Sequence, residues 1–257
     1  MQHSIKPNKK LGQNFLINAY TINTIIEILN ISEDDLVLEV GPGQGALTKH
    51  ILNKTKNYIG VEKDKKLCDF LLSEYTGSVD IRNEDILKTQ LNKIYKEKYR
   101  VIGNIPYNIS TKLLMRCLEN KDHISSVYFM MQKEFVDRII SGHGSKSFGR
   151  LSVLMQLFFK AEKYIDISPS DFYPEPKIFS SFMSLTPLKN TLLETYEIDS
   201  FLDFTKKIFG TRRKKIKNCL KINYDNLYDN MNKRAEELSI PEMIKLYRDI
   251  RDDGKLV

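Results

Sequence analysis

Apolar runs of strand length recur through the first two-thirds of the chain, at Leu36 to Gly41, Tyr58 to Glu62, Val79 to Arg82, Arg100 to Ile105 and Ser126 to Met131. Two more follow at Tyr164 to Ser168 and Ser181 to Leu185. Amphipathic stretches with helical spacing lie between most of them. Parallel strands need long crossovers and bury both faces, so this alternation predicts an α/β fold with a Rossmann-like, mostly parallel sheet under helices. A proline-rich loop (Pro169, Pro174, Pro176) alone separates the last two runs, and an antiparallel pair is the expected finish to the sheet. Beyond Thr186-Pro187 the apolar period becomes helical, as in Phe201, Phe204, Ile208 and Phe209. The pattern therefore predicts a domain over 1–187 and a small helical domain over 188–257, with no internal repeat.

Composition narrows the class. Of 257 residues, 41% are hydrophobic and 28% charged, which excludes disordered, collagen-like and coiled-coil chains. The uncharged stretch from Leu11 to Ile26 is interrupted by Gln13, Asn14, Asn18 and Asn23 and falls short of the ~20 apolar residues of a membrane span. No signal-peptide pattern precedes it, so a cytoplasmic location is expected. Cys68, Cys117 and Cys219 are odd in number and far apart, and are read as reduced packing residues rather than disulfides or metal ligands. Lys and Arg number 40 against 33 acids, a formal charge of +7. The excess is local: Lys206 to Lys221 holds eight basic residues and no acid, and Lys6, Lys9 and Lys10 precede the first acid, Glu27. Each block reads either as a solvated face or as a site for a phosphate-rich partner.

Leu36 to Thr48 reads as a buried strand, a glycine turn (Gly41-Pro42-Gly43-Gln44-Gly45) and the start of a helix. In open α/β sheets such a first turn lies at the carboxyl edge, where nucleotide-like ligands bind. Glu62 ends the next strand, 21 residues after Gly41, where an acid can accept from both ribose hydroxyls, and Asp85 follows the third strand, placed to accept from an adenine amino group. Taken singly, each acid reads as a helix cap; their agreement in register with successive strand ends points to an adenosine-containing cofactor. S-adenosyl-L-methionine and a dinucleotide both fit the glycine turn, and a purely structural turn is the third reading.

Gly103-Asn104-Ile105-Pro106-Tyr107, at the end of the fourth strand, is the most specific string. The lone pair of an aromatic amine is delocalised into its ring, so it attacks poorly until acceptors hold the amino group turned and pyramidal. The Asn104 side-chain oxygen and the Ile105 carbonyl supply two such acceptors, Pro106 fixes the backbone, and Tyr107 can stack on a base. An ordinary strand-to-helix turn is the competing reading. Phe172-Tyr173-Pro174-Glu175-Pro176-Lys177 offers a second wall in which Phe172 stacks on the opposite face of the base, the competing reading being a rigid connector with Phe172 in the core. A duplexed base cannot enter such a pocket, so the substrate must be single-stranded, looped or flipped out.

With these residues assembled, the chain resembles the KsgA family of ribosomal RNA small-subunit adenine dimethyltransferases. The resemblance runs through Leu11-Gly12-Gln13-Asn14-Phe15-Leu16, Glu39-Val40-Gly41-Pro42-Gly43, Asn104 to Ser110, Gln132-Lys133-Glu134, Gly149-Arg150-Leu151-Ser152-Val153, Phe172 to Lys177 and Arg212-Arg213-Lys214. It implies a class I methyltransferase sheet, with Asn14, Leu16, Gly41, Gly43, Glu62, Asp85 and Asn104 around S-adenosyl-L-methionine, no metal, and Asn104, Pro106, Tyr107 and Phe172 at the target adenine. It also implies transfer of two methyls to each of two adjacent adenines in a hairpin loop near the 3′ end of small-subunit ribosomal RNA. The partner would be a late assembly intermediate, with Arg212, Arg213, Lys214, Lys215 and Lys217 on RNA phosphates and the protein a monomer. Phe179 stands where the family generally has a small polar or acidic residue, and Cys219 replaces a common serine. The alternatives are the related large-subunit methyltransferase of the macrolide-resistance type, a non-catalytic RNA-binding assembly factor on the same scaffold, and a nicotinamide-dependent enzyme.

Overall fold

The structure is a computed structural model and describes residues 5–75, 77, 79–211, 213–220 and 229–253. In chain order its main elements are β1 (Phe15–Leu16), α1 (Ala19–Leu29), β2 (Val37–Val40), α2 (Thr48–Leu52), β3 (Tyr58–Glu62), α3 (Lys65–Glu74), β4 (Asp80–Asn83), β5 (Tyr99–Asn104) and α4 (Ser110–Glu119). There follow β6 (Ile124–Gln132), α5 (Lys133–Ile140), α6 (Arg150–Phe158), β7 (Phe159–Ile167), β8 (Phe172–Tyr173), β9 (Ser180–Pro187), α7 (Ile198–Phe209), α8 (Ile216–Leu220) and α9 (Ile240–Asp252). The chain divides into two compact units, Met1–Val136 with Glu162–Pro187, and Asp137–Ala161 with Leu188–Val257. The segment 137–161 thus groups with the stretch after Leu188, whereas the sequence pattern placed it with the sheet.

Seven strands form the main sheet in the order β4-β3-β2-β5-β6-β9-β7. Strands β2 to β6 pair in parallel, and the final strand, β9, runs antiparallel to β6 with β7 as its other neighbour. All residues of β2 and β3 are buried, as expected of central parallel strands covered on both faces. Chain order reverses between β2 and β5, so the crevice at their carboxyl ends is a topological switch point, the usual ligand position in such sheets. The packing here is tight: a Cβ on Gly103 would lie 2.6 Å from the Val40 carbonyl oxygen, so only glycine fits.

A second, two-stranded sheet pairs β1 with β8, Leu16 opposite Phe172 and Phe15 opposite Tyr173. Asp171 fixes it. Its backbone carbonyl accepts from the Ile17 and Asn18 N–H groups, and its carboxylate accepts from the Asn18 side-chain amide and the Thr21 hydroxyl, both at 2.8 Å. Asn18 in turn caps α1 through the Tyr20 and Thr21 N–H groups.

In the second unit, α7 buries Phe201, Phe204, Thr205 and Ile208, the face its spacing predicted. Glu197, 1% exposed, accepts from Arg248 and Arg251 at 2.7 Å and from the Glu194 N–H, and these partners hold its carboxyl down at about 2. The Gly149-Arg150-Leu151-Ser152 string is also structural here: the Ser152 hydroxyl donates to the Arg138 carbonyl, and Arg150 reaches the Thr205 hydroxyl and the Leu202 carbonyl of α7. Among the described residues, no helix is long and apolar enough to cross a membrane.

Candidate active site

One cleft in the first unit collects the residues singled out from the sequence. Asn14 and Leu16, Gly41 and Gly43, Glu62, Asp85, and Asn104, Pro106 and Tyr107 all line it, together with Lys10, Gln13, Lys63, Ile86, Asn108 and Met130. They arrive from the carboxyl ends of β2, β3, β4 and β5 and from the segment leading into β1.

The glycine turn is built to admit a ligand. Gly41 has φ +63°, and a Cβ there would meet no atom within 4 Å, so the backbone faces open space. The Gly43 N–H donates to Glu62 Oε2 at 3.1 Å, and the Asp64 N–H donates to Oε1 at 2.8 Å. Glu62 is therefore held in one orientation, and each oxygen keeps a lone pair for a ribose hydroxyl. Burial pushes its carboxyl up, partly countered by these two bonds. Asp85 accepts from the Leu87 N–H at 3.0 Å and from Lys63 Nζ at 2.8 Å, and the ion pair with Lys63 holds its carboxyl below the ordinary range. Ile86, buried beside it, adds apolar surface to the cleft. An open glycine backbone, a fixed acid for the ribose and an acceptor beside an apolar wall fit adenosylmethionine.

At the far side, the Asn104 side-chain amide nitrogen donates to the Asn14 carbonyl at 2.8 Å. That bond fixes which end of the amide is which, because only the nitrogen can face a carbonyl. Oδ1 is left to accept. The Ile105 N–H donates to the Met130 carbonyl at 3.0 Å, locking the turn to β6, and the Ile109 N–H returns to the Pro106 carbonyl. The Tyr107 hydroxyl is 2.8 Å from Ser180 Oγ, which anchors the ring from β9, and burial pushes its phenol up.

One expectation comes out differently. Phe172 does not line the cleft: it is 3% exposed and belongs to the core cluster that includes Leu16, Ile167 and Phe182. Alternation along β8 turns Phe172 inward and Tyr173 outward, 58% exposed, so the open aromatic faces on this loop belong to Tyr173 and Phe179. In the second unit, Arg213, Lys214 and Lys215 are exposed and Lys217 half-buried around the anchor Ile216, whereas Arg212 lies outside the described residues.

Residues the sequence reading passed over also matter. Lys63 occupies Asp85, Asp171 fixes the short strand that follows Asn14, and Glu39 lies under the glycine turn. Glu39 is 2% exposed and accepts from the Thr48 hydroxyl at 2.7 Å and the Tyr58 hydroxyl at 2.6 Å. Burial pushes its carboxyl up to about 7. A buried acid with a raised value binds its proton more tightly folded than unfolded, so stability falls as pH rises from about 4.5 to 7. Glu39→Gln keeps an acceptor for both hydroxyls and removes that loss. Between pH 5 and 8 the variant should lose about 3 kcal/mol less than the wild type, read from urea midpoints at each pH.

Sheet order and cleft together define the class, an adenosylmethionine-dependent methyltransferase of the class I fold. Comparison of sequences makes it particular. The chain belongs to the ribosomal RNA adenine dimethylase family, whose sequence model matches residues 4–250. It is 39% identical to the ribosomal RNA small subunit methyltransferase A of Francisella tularensis subsp. novicida (strain U112), over 96% of this chain and 98% of that one. The same identity and coverage hold for the protein of that name from F. tularensis subsp. holarctica (strain LVS). In fold it is similar to a dimethyladenosine transferase from Plasmodium falciparum (TM-score 0.80, 24% identity, 93% of this chain and 98% of that one). It is also similar to the 23S rRNA methyltransferase ErmE (TM-score 0.74, 24% identity, 93% of this chain and all of that one).

Proposed function

We propose that this protein dimethylates the exocyclic amines of two adjacent adenines in a hairpin loop near the 3′ end of small-subunit ribosomal RNA, acting as a cytoplasmic monomer on a late assembly intermediate. The observation that carries the reading is the Asn104 amide, whose nitrogen is committed to the Asn14 carbonyl and whose oxygen is thereby left for the incoming amine, in the same cleft as the glycine turn. The 39% identity to a small-subunit methyltransferase supports the choice of RNA.

Adenosylmethionine, when bound, supplies an electrophilic methyl carbon on a sulfonium. The residues of this chain supply alignment. Asn104 Oδ1 and the Ile105 carbonyl accept the two amino hydrogens and turn the nitrogen lone pair out of conjugation, and Tyr107, braced by Ser180, stacks on the base. Neither acceptor is a strong base, and none is required: the nitrogen becomes cationic as its new bond to carbon forms and the carbon–sulfur bond breaks to leave a neutral thioether, and the proton leaves afterwards to water. Removal of that proton restores the lone pair for a second transfer. The region 188–257, with Arg212, Arg213, Lys214, Lys215 and Lys217, serves as an RNA-binding domain through phosphate contacts.

The test is transfer of labelled methyl from adenosylmethionine to small ribosomal subunits lacking this mark, followed by mass spectrometry of the RNA. Two adjacent doubly methylated adenines near the 3′ end are expected. Label confined to protein-free large-subunit RNA, or absent from both, overturns the reading.

A further inference from the structure

Of the lysines before the first strand, only Lys10 touches the cleft described so far. Lys6, Lys9, Lys10 and Lys66, all exposed, line a groove with Ile5, Pro7 and Asn8, and its one carboxylate among the described residues is Asp64. That carboxylate is engaged: Oδ1 caps α3 through the Lys66 N–H, and Oδ2 accepts from Gln13 Nε2 at 3.1 Å. The groove is a held surface and not a loose arm. Gln44 of the glycine turn donates to the Ile5 carbonyl at 3.0 Å, the Asn8 N–H donates to Gln13 Oε1 at 2.7 Å, and Asn8 Oδ1 accepts from the Lys10 N–H. Lys10 lines both the groove and the cleft, so the two are continuous.

We infer that this groove is a second RNA site, on the catalytic unit itself, taking the phosphodiester backbone of the strand that leads into the cleft. The inference rests on the proposed RNA substrate and adds where its backbone runs. Four cations against one engaged carboxylate match a repeating anion, and a base held in the cleft requires its flanking phosphates to pass the rim. The side-chain amides of Gln13 and Gln44 tie the groove to Asp64 and to the glycine turn, so strand and cofactor are positioned by one rigid piece of backbone.

The experiment uses the full chain and a fluorescein-labelled RNA hairpin with two adjacent loop adenines, its binding followed by anisotropy from 50 to 300 mM KCl. Lys10 borders the cleft and is left unchanged. In Lys6→Gln/Lys9→Gln/Lys66→Gln, the slope of log Kd against log salt should shrink by about 2, roughly 0.7 for each lost phosphate contact, and binding at the lowest salt should weaken at least tenfold. Adenosylmethionine affinity, measured by calorimetry, should stay within twofold, which also reports an intact fold. The corresponding triple Lys→Arg variant should retain both slope and affinity. An unchanged slope overturns the inference, as does a matching loss of cofactor affinity, or a polyglutamate of equal length that binds as tightly as the RNA. Steep salt dependence without methyl transfer would instead sink the proposed function and leave the groove standing.

Discussion

Asn104→Ala is expected to lower the rate of methyl transfer a hundred- to a thousand-fold while leaving RNA affinity within about twofold. One acceptor aimed at a reacting centre is worth about that much when its geometry is preset, and here the Asn14 carbonyl presets it at 2.8 Å. The loss should fall on kcat, because the acceptor acts most strongly as the amine becomes pyramidal and gathers positive charge. Asn104→Asp separates this account from a requirement for any oxygen at the position. An aspartate sets a second acceptor against the Asn14 carbonyl, so its carboxylate must swing away, and activity should fall as with alanine. Single-turnover transfer to a saturating RNA measures both variants. Full activity in Asn104→Asp would show that the Asn14 contact does not orient the group.

Glu62→Ala is expected to raise the Kd for adenosylmethionine about a hundredfold. Two hydrogen bonds to a charged acceptor at roughly 1.5 kcal/mol each give about 3 kcal/mol, and the bond from the Gly43 N–H is lost as well. The pH dependence has a definite sign. Burial raises the Glu62 carboxyl, so the fraction able to accept from both hydroxyls falls as pH drops through that raised value, earlier than for an exposed glutamate. Calorimetric titrations stepped downward from pH 8 should therefore show binding weaken in the wild type as Glu62 becomes protonated. The alanine variant should show no such difference. A wild-type affinity that tracks that of the alanine variant at every pH would remove Glu62 from the ribose site.

Much of this site was legible in the chain because it is local. The glycine turn, Glu62, Asp85 and the Asn104 turn each follow a strand whose apolar run marks its end, and a parallel sheet brings successive strand ends to one edge. What stayed hidden depends on partners far apart in sequence. Asp171 meets Asn18 and Thr21 across about 150 residues, and nothing in Ser170-Asp171-Phe172 announces it. The sequence makes Phe172 a candidate wall of the pocket because two prolines stiffen its loop. Its inward turn follows from pairing with a two-residue strand too short to leave a periodic signal. The segment 137–161 was placed with the sheet because its helices lie between strands, yet Ser152 and Arg150 bond within the other unit.

The glycine before Asn104 bears on how this enzyme can change. With no room for a methyl between Gly103 and the Val40 carbonyl, the gap separating the turn after β2 from the turn after β5 is set by main chain against main chain. Point substitutions cannot widen it gradually, because the first carbon added forces two neighbouring strands apart. Drift toward a different nucleoside must then proceed at side chains that line the cleft, such as Asn108 and Met130, while the span from donor to acceptor is inherited unchanged.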